Sequence, residues 1–135
     1  MKKSLIFLIA AFVPAVVSAA DWRYIGYTTD AIYSVDTQSV RLGQANYNRG
    51  FQARRGWFKK TALNDVDGYE LLLVSVNCTA DEILTLQWTK YGSDGAAITS
   101  GSREDFDFNY RATNPESIGE TMLGFLCGRI SLNDL

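Results

Sequence analysis

Leu71-Leu72-Leu73-Val74-Ser75-Val76-Asn77-Cys78 is the stretch around which the rest of the chain arranges itself. Side chains alternate across a strand, so Leu72, Val74, Val76 and Cys78 fall on one face and Leu71, Leu73, Ser75 and Asn77 on the other. The even-numbered face is wholly apolar and predicts a core. It ends in one of the two cysteines of the chain, and the only intramolecular partner for Cys78 is Cys127.

Cys127 lies in the one good helical segment. Asn114 suits an N-cap and Pro115 a first helical position, with Glu116 at the positive end of the helix dipole and Arg129 at the negative end. At a 3.6-residue period Ile118, Met122, Leu123, Phe125, Leu126, Cys127 and Ile130 form an apolar arc, with Ser117, Thr121, Gly124 and Gly128 as the outer stripe. A Cys78–Cys127 disulfide then joins the helix's apolar arc to the apolar face of the strand. Closing a loop of about 50 residues stabilises by roughly 4 kcal/mol through the entropy of the unfolded chain. The fold class is α+β: an antiparallel sheet with a C-terminal helix strapped across it.

The first 20 of the 135 residues read as a signal peptide. Lys2 and Lys3 precede an apolar run from Leu5 to Val17, and Ser18, Ala19 and Ala20 are small, as a cleavage site requires. The run is shorter than the roughly 20 residues that span a bilayer, and no cysteine follows to take a lipid. Residues 21–135 are thus expected to be a single exported domain, periplasmic or extracellular and not lipid-anchored, in a compartment where thiols oxidise.

Without Lys2 and Lys3 the 13 basic residues become 11, against 15 acidic. An acidic balance disfavours a general nucleic-acid or anionic-membrane binder. The charge is segregated, however: Arg41, Arg49, Arg54, Arg55, Lys59 and Lys60 lie between Thr37 and Asn64 with no acid among them.

Along the chain, Asp21–Tyr27 and Ile32–Val35 read as strands joined by a turn at Thr28–Asp30. Asp36–Gly43 is loop chemistry, with Asp36 and Ser39 able to bond nearby backbone and Gly43 able to take positive φ. The sheet resumes near Ala45. Tyr47–Lys60 mixes aromatics and cations on both alternating faces, which predicts a strand that projects beyond the core or forms an edge. Asn64–Gly68 turns into the central strand. Ile83–Tyr91 places Leu84, Leu86 and Trp88 on one face, and Gly92-Ser93-Asp94-Gly95 is a hairpin connection to Ala96–Ser100. Gly101–Arg111 reads as a loop or short irregular strand.

Trp22, Tyr33-Ser34-Val35-Asp36 with Ser39, the strand ending in Cys78, Tyr91-Gly92-Ser93-Asp94-Gly95, and Pro115-Glu116-Ser117 leading to Cys127 together resemble the surface-adhesin protein E family of exported bacterial proteins. The resemblance covers essentially all of residues 21–135. It implies a curved antiparallel sheet of about six strands with a C-terminal helix tied to it by the disulfide. It also implies adhesion, through binding of host-matrix and serum proteins.

The chain has no histidine. That removes Ser-His-Asp and Cys-His nucleophile arrangements and the commonest zinc ligand, and paired cysteines leave no thiolate. Glu104, Asp105 and Asp107 are the carboxylates that an acid/base pair would need, and they read as a solvated acidic loop. Asp65-Val66-Asp67-Gly68 is a fragment of a calcium loop without its distal glutamate, so a turn is expected and no metal or other cofactor. The basic stretch is the one site-like feature. Arg54, Arg55, Lys59 and Lys60 around Trp57 fit a protein or polyanionic partner, by charge steering with an indole anchor. A solvated edge strand guarded by its cations is the structural alternative. The expected function is a non-enzymatic, adhesin-like binding protein; the alternative is a periplasmic inhibitor or immunity-type protein that blocks an enzyme.

Overall fold

A computed structural model describes residues 19–47, 49–64, 67–103 and 110–135, the side chain of Asp67 excepted. The leader up to Ser18, Asp65, Val66 and the carboxylates Glu104, Asp105 and Asp107 lie outside the described residues. Eight strands follow in order: β1 (Trp22–Tyr27), β2 (Ala31–Asp36), β3 (Arg41–Asn46), β4 (Phe51–Ala62), β5 (Asp67–Asn77), β6 (Glu82–Gly92), β7 (Ala97–Ser102) and β8 (Arg111–Ala112). A helix, α1 (Ile118–Leu126), and a 3-10 turn at Leu132–Asp134 close the chain. All strands join one open, curved antiparallel sheet in the order β1-β2-β4-β5-β6-β7, with β3 beside β4 and β8 beside β6. The expected α+β architecture stands.

β5 forms as its alternation predicts, and its even face carries the main core. Val74 and Val76 pack with Ile25, Ala31, Tyr33, Val35 and Phe58 of the neighbouring strands against Met122, Leu123 and Leu126 of α1. Phe58 and Leu126 lose all solvent contact, each burial worth roughly 1.5–3 kcal/mol. The opposite face holds a smaller cluster of Leu73, Leu84 and Leu86, flanked by Trp57 and Tyr110.

β4 departs from expectation. It is a central strand, paired along one side with β5 and along the other with β3 at its start and β2 at its end. The mixed pattern has a physical cause: the strand buries odd residues Phe51 and Ala53 at one end and even residues Gly56 and Phe58 further along. It serves a different face at each end, so neither face looks apolar throughout. The edge reading of its cations is therefore overturned.

Where β3 leaves β4 and β2 has not yet begun, the 3-10 turn Thr37–Ser39 fills the gap. Ser39 Oγ accepts the Trp57 N–H at 2.7 Å and donates to the Asp36 carbonyl at 2.7 Å. β3 starts at Arg41, earlier than expected, and Gly43 lies within it without positive φ; among the described glycines Gly50, Gly95 and Gly128 are left-handed. A register shift at Leu73/Val74 sets Trp88 opposite Leu72 and Thr85 opposite Val74. Trp88 is thereby moved to the face opposite Leu84 and Leu86, against the simple alternation.

The helix starts at Ile118, not after Asn114. Ser117 is the N-cap, accepting from the Glu120 N–H at 3.2 Å. Glu116, at φ 59°, turns the chain in front of it, a left-handed conformation the helical reading did not allow for. Cys127 caps the other end and is bonded to Cys78, with the two Cα atoms 5.7 Å apart. Past Gly128 (φ 71°) the chain folds back, and Ile130 covers Gly124. Gly124 is buried, so the outer stripe expected through it is corrected. Among the described residues no helix is long and apolar enough to cross a membrane.

Candidate functional site

Residues opposite one another in an antiparallel ladder share a face, so register divides the basic stretch. Arg55 lies opposite Ser75, Trp57 opposite Leu73 and Lys59 opposite Leu71, all on the sheet face away from α1. Arg54 lies opposite Val76 and Lys60 opposite Glu70, on the helix side. The structure thus brings together three of the five site residues read from the sequence, Arg55, Trp57 and Lys59. Arg54 and Lys60 point the other way, and Lys60 has an acidic neighbour, Glu70, at 3.9 Å.

Arg41 joins the first group, because β3 sets it directly opposite Arg55. Like charges placed directly opposite are unfavourable in a sheet, and no ion pair among the described residues neutralises either one. The buried Nε of Arg55 has no hydrogen-bond partner among the described residues, as is true of Arg54 Nε on the other face. Arg49 is different: it is paired with Glu82 at 2.6 Å and lies 5.6 Å from the centre of the Phe51 ring. Its charge is occupied.

Lys59 is held by aromatic rings. Its ammonium sits 4.6 Å from the centre of Tyr69 and 5.8 Å from that of Trp22, and Tyr69 stacks on Tyr91 at 4.7 Å. Such contacts are worth about 0.5–1 kcal/mol each near the surface and fix the cation without neutralising it. Beside this row Trp57, Gln87, Thr89, Ser100 and Ser102 border a shallow polar concavity. At the far end of the same face Tyr110 donates or accepts a 2.8 Å hydrogen bond with Ser75 and meets Phe51 edge-on. Burial pushes the Tyr110 phenol above its usual pKa, outweighing the opposing Ser75 hydrogen bond.

Trp22, Tyr69, Tyr91 and Arg41 were not singled out from the sequence. Their grouping depends on which strands adjoin β4 and β5 and in what register, and no local pattern carries that information. Comparison with family models, with characterised proteins and with solved structures finds no match for this chain.

Proposed function

We propose that this chain is an exported, non-enzymatic, adhesin-like binding protein that takes an acidic partner on the sheet face away from α1. The carrying observation is that Arg41, Arg55 and Lys59 share that face with Trp57 and Trp22 and make no ion pair among the described residues. Cations held in place by rings and strand backbone lose little freedom on binding, which favours a carboxylate-bearing surface. The indoles supply flat contact area beside the charges. Export is supported by the leader-like residues 1–20 and by the disulfide, which persists in oxidising compartments.

The test is capture of host-matrix proteins and envelope components by the immobilised, oxidised protein, repeated at rising salt. Arg41→Glu, Arg55→Glu and Lys59→Glu together should abolish the salt-sensitive fraction, while Lys60→Gln on the opposite face should leave it unchanged. Capture by the charge-reversed, folded protein with unaltered salt dependence would sink the proposal.

A further inference from the structure

The polar concavity beside the cationic row owes its lining to a bulge in β6. Leu86 is the extra residue opposite Leu73 and Val74, and a bulge re-aims the side chains that follow it. Leu84 and Leu86 both stay buried with Leu73, packed with Trp57, while Gln87, opposite Leu73, and Thr89, opposite Leu71, share that same face. β7 continues the surface, with Ser102 opposite Gln87 and Ser100 opposite Thr89. Gln87, Ser100 and Ser102 are exposed and Thr89 is half-buried. Among the described residues none of these four side chains has a hydrogen-bond partner. The half-buried indole of Trp57 borders the concavity on the β4 side.

Building on the reading that Arg41, Arg55 and Lys59 take an acidic partner, we infer that this concavity binds sugar rings and that the partner is a uronic-acid polysaccharide. A pyranose ring offers a face of C–H groups and a rim of hydroxyls. The C–H face suits the electron-rich face of an indole. Each sugar hydroxyl both donates and accepts, and so do the side chains of Gln87, Thr89, Ser100 and Ser102. Arg55 and Lys59 lie two residues to either side of Trp57 on β4, and Arg41 lies beyond them on β3. From β3 to β7 is four strand spacings, roughly 19 Å, so a chain of rings that carries carboxylates along its length meets the hydroxyl bed and the cations together. Guanidinium and carboxylate then pair through charge-assisted hydrogen bonds.

An acidic protein surface fits the same residues less well. Carboxylates only accept hydrogen bonds, so they leave the Gln87 carbonyl and the three hydroxyl oxygens of the bed without donors. A protein partner also draws on a desolvated apolar centre, and on this face Leu73, Leu84 and Leu86 are already buried within the chain itself. What stays accessible is one indole, a bed of neutral polar groups and a flank of cations.

Titration of the oxidised protein with a hyaluronan octasaccharide, in parallel with polyglutamate of equal charge, should give binding at least tenfold tighter for the sugar at the same ionic strength. Gln87→Ala combined with Ser102→Ala, both on exposed side chains, should weaken sugar binding about tenfold, as the loss of two hydrogen bonds does, with the salt dependence and the circular dichroism spectrum unchanged. Equal affinity for sugar and polyglutamate, or undiminished sugar binding by the double variant, would overturn the sugar assignment and leave the acidic-partner reading in place. A sugar that does not bind would overturn the assignment alone where salt-sensitive capture of acidic proteins persists, and both readings where that capture is absent too. Sugar binding that survives Arg41→Glu, Arg55→Glu and Lys59→Glu together in the folded protein would likewise overturn both.

Discussion

Ser39 completes the ladder of a strand it does not belong to: its hydroxyl oxygen takes the Trp57 N–H at 2.7 Å where β3 and β2 leave β4 uncovered. Ser39→Ala strands that donor in a part-buried position. A lost partner for a buried group costs about 1–3 kcal/mol. Denaturant unfolding should show a lower midpoint with an unchanged slope, and a loss below about 0.5 kcal/mol would mean that water replaces the hydroxyl without penalty.

Two glycines should respond oppositely to alanine. A Cβ on Gly124 would meet Ile130 at 3.4 Å, an ordinary contact, and alanine is worth up to about 1 kcal/mol over glycine in a helix. Gly124→Ala should raise the melting temperature by a few degrees. A Cβ on Gly56 would lie 3.0 Å from Leu126 Cδ2 and 3.4 Å from Val40 Cγ2, so the fully buried Leu126 side chain must shift by a few tenths of an ångström in a packed core. Gly56→Ala should cost about 1–3 kcal/mol.

The disulfide spans 49 residues of sequence. Replacing Cys78 and Cys127 together with alanine should destabilise by roughly 4 kcal/mol, and reductant should do the same to the native protein. Mass measurement of the purified protein without reductant should show both thiols consumed.

Asp21 should shape the acid limb of stability. The Thr37 hydroxyl donates to its carboxylate at 2.8 Å and Arg23 Nε at 2.9 Å, and these hold its pKa below the ordinary 3.8, the Thr37 bond most strongly. Because the folded value is the lower one, the contribution is complete above the unfolded value and disappears as pH falls through the folded value. Asp21→Asn should therefore lower stability near neutral pH and flatten its decline as pH falls through and below the ordinary 3.8.

The parts legible in the sequence were those whose pattern is uniform along an element. β5 keeps one apolar face from Leu72 to Cys78, and α1 keeps one arc, so their packing and the disulfide follow directly. β4 buries Phe51 and Ala53 on one face and Phe58 on the other, so its alternation cancels and a central strand imitates an edge. The extra residue of β6, Leu86, opposite Leu73/Val74 hides in the same way, exchanging the face of Trp88. Ser117 with Glu120 was a readable start signal for α1, masked by the stronger Asn114-Pro115 pair; the left-handed Glu116 between them is what the pattern could not convey. Of the site, Arg55, Trp57 and Lys59 were legible from charge segregation, whereas Trp22, Tyr69 and Tyr91 reach Lys59 only through tertiary register.

The order of strands also sets the order of assembly. β3, β4, β5 and β6 each pair with the strand next in sequence, and β1 pairs with β2, so most of the sheet can zip from hairpins whose loops close quickly. α1 comes last in the chain and docks on a surface that already exists. Until it does, Val74, Val76 and the Cys78 thiol lack the cover that Met122, Leu123, Leu126 and Cys127 give them in the fold. Oxidation before α1 docks would pair molecules through Cys78, so the yield of native protein should fall as the protein is refolded at higher concentration under fast oxidation.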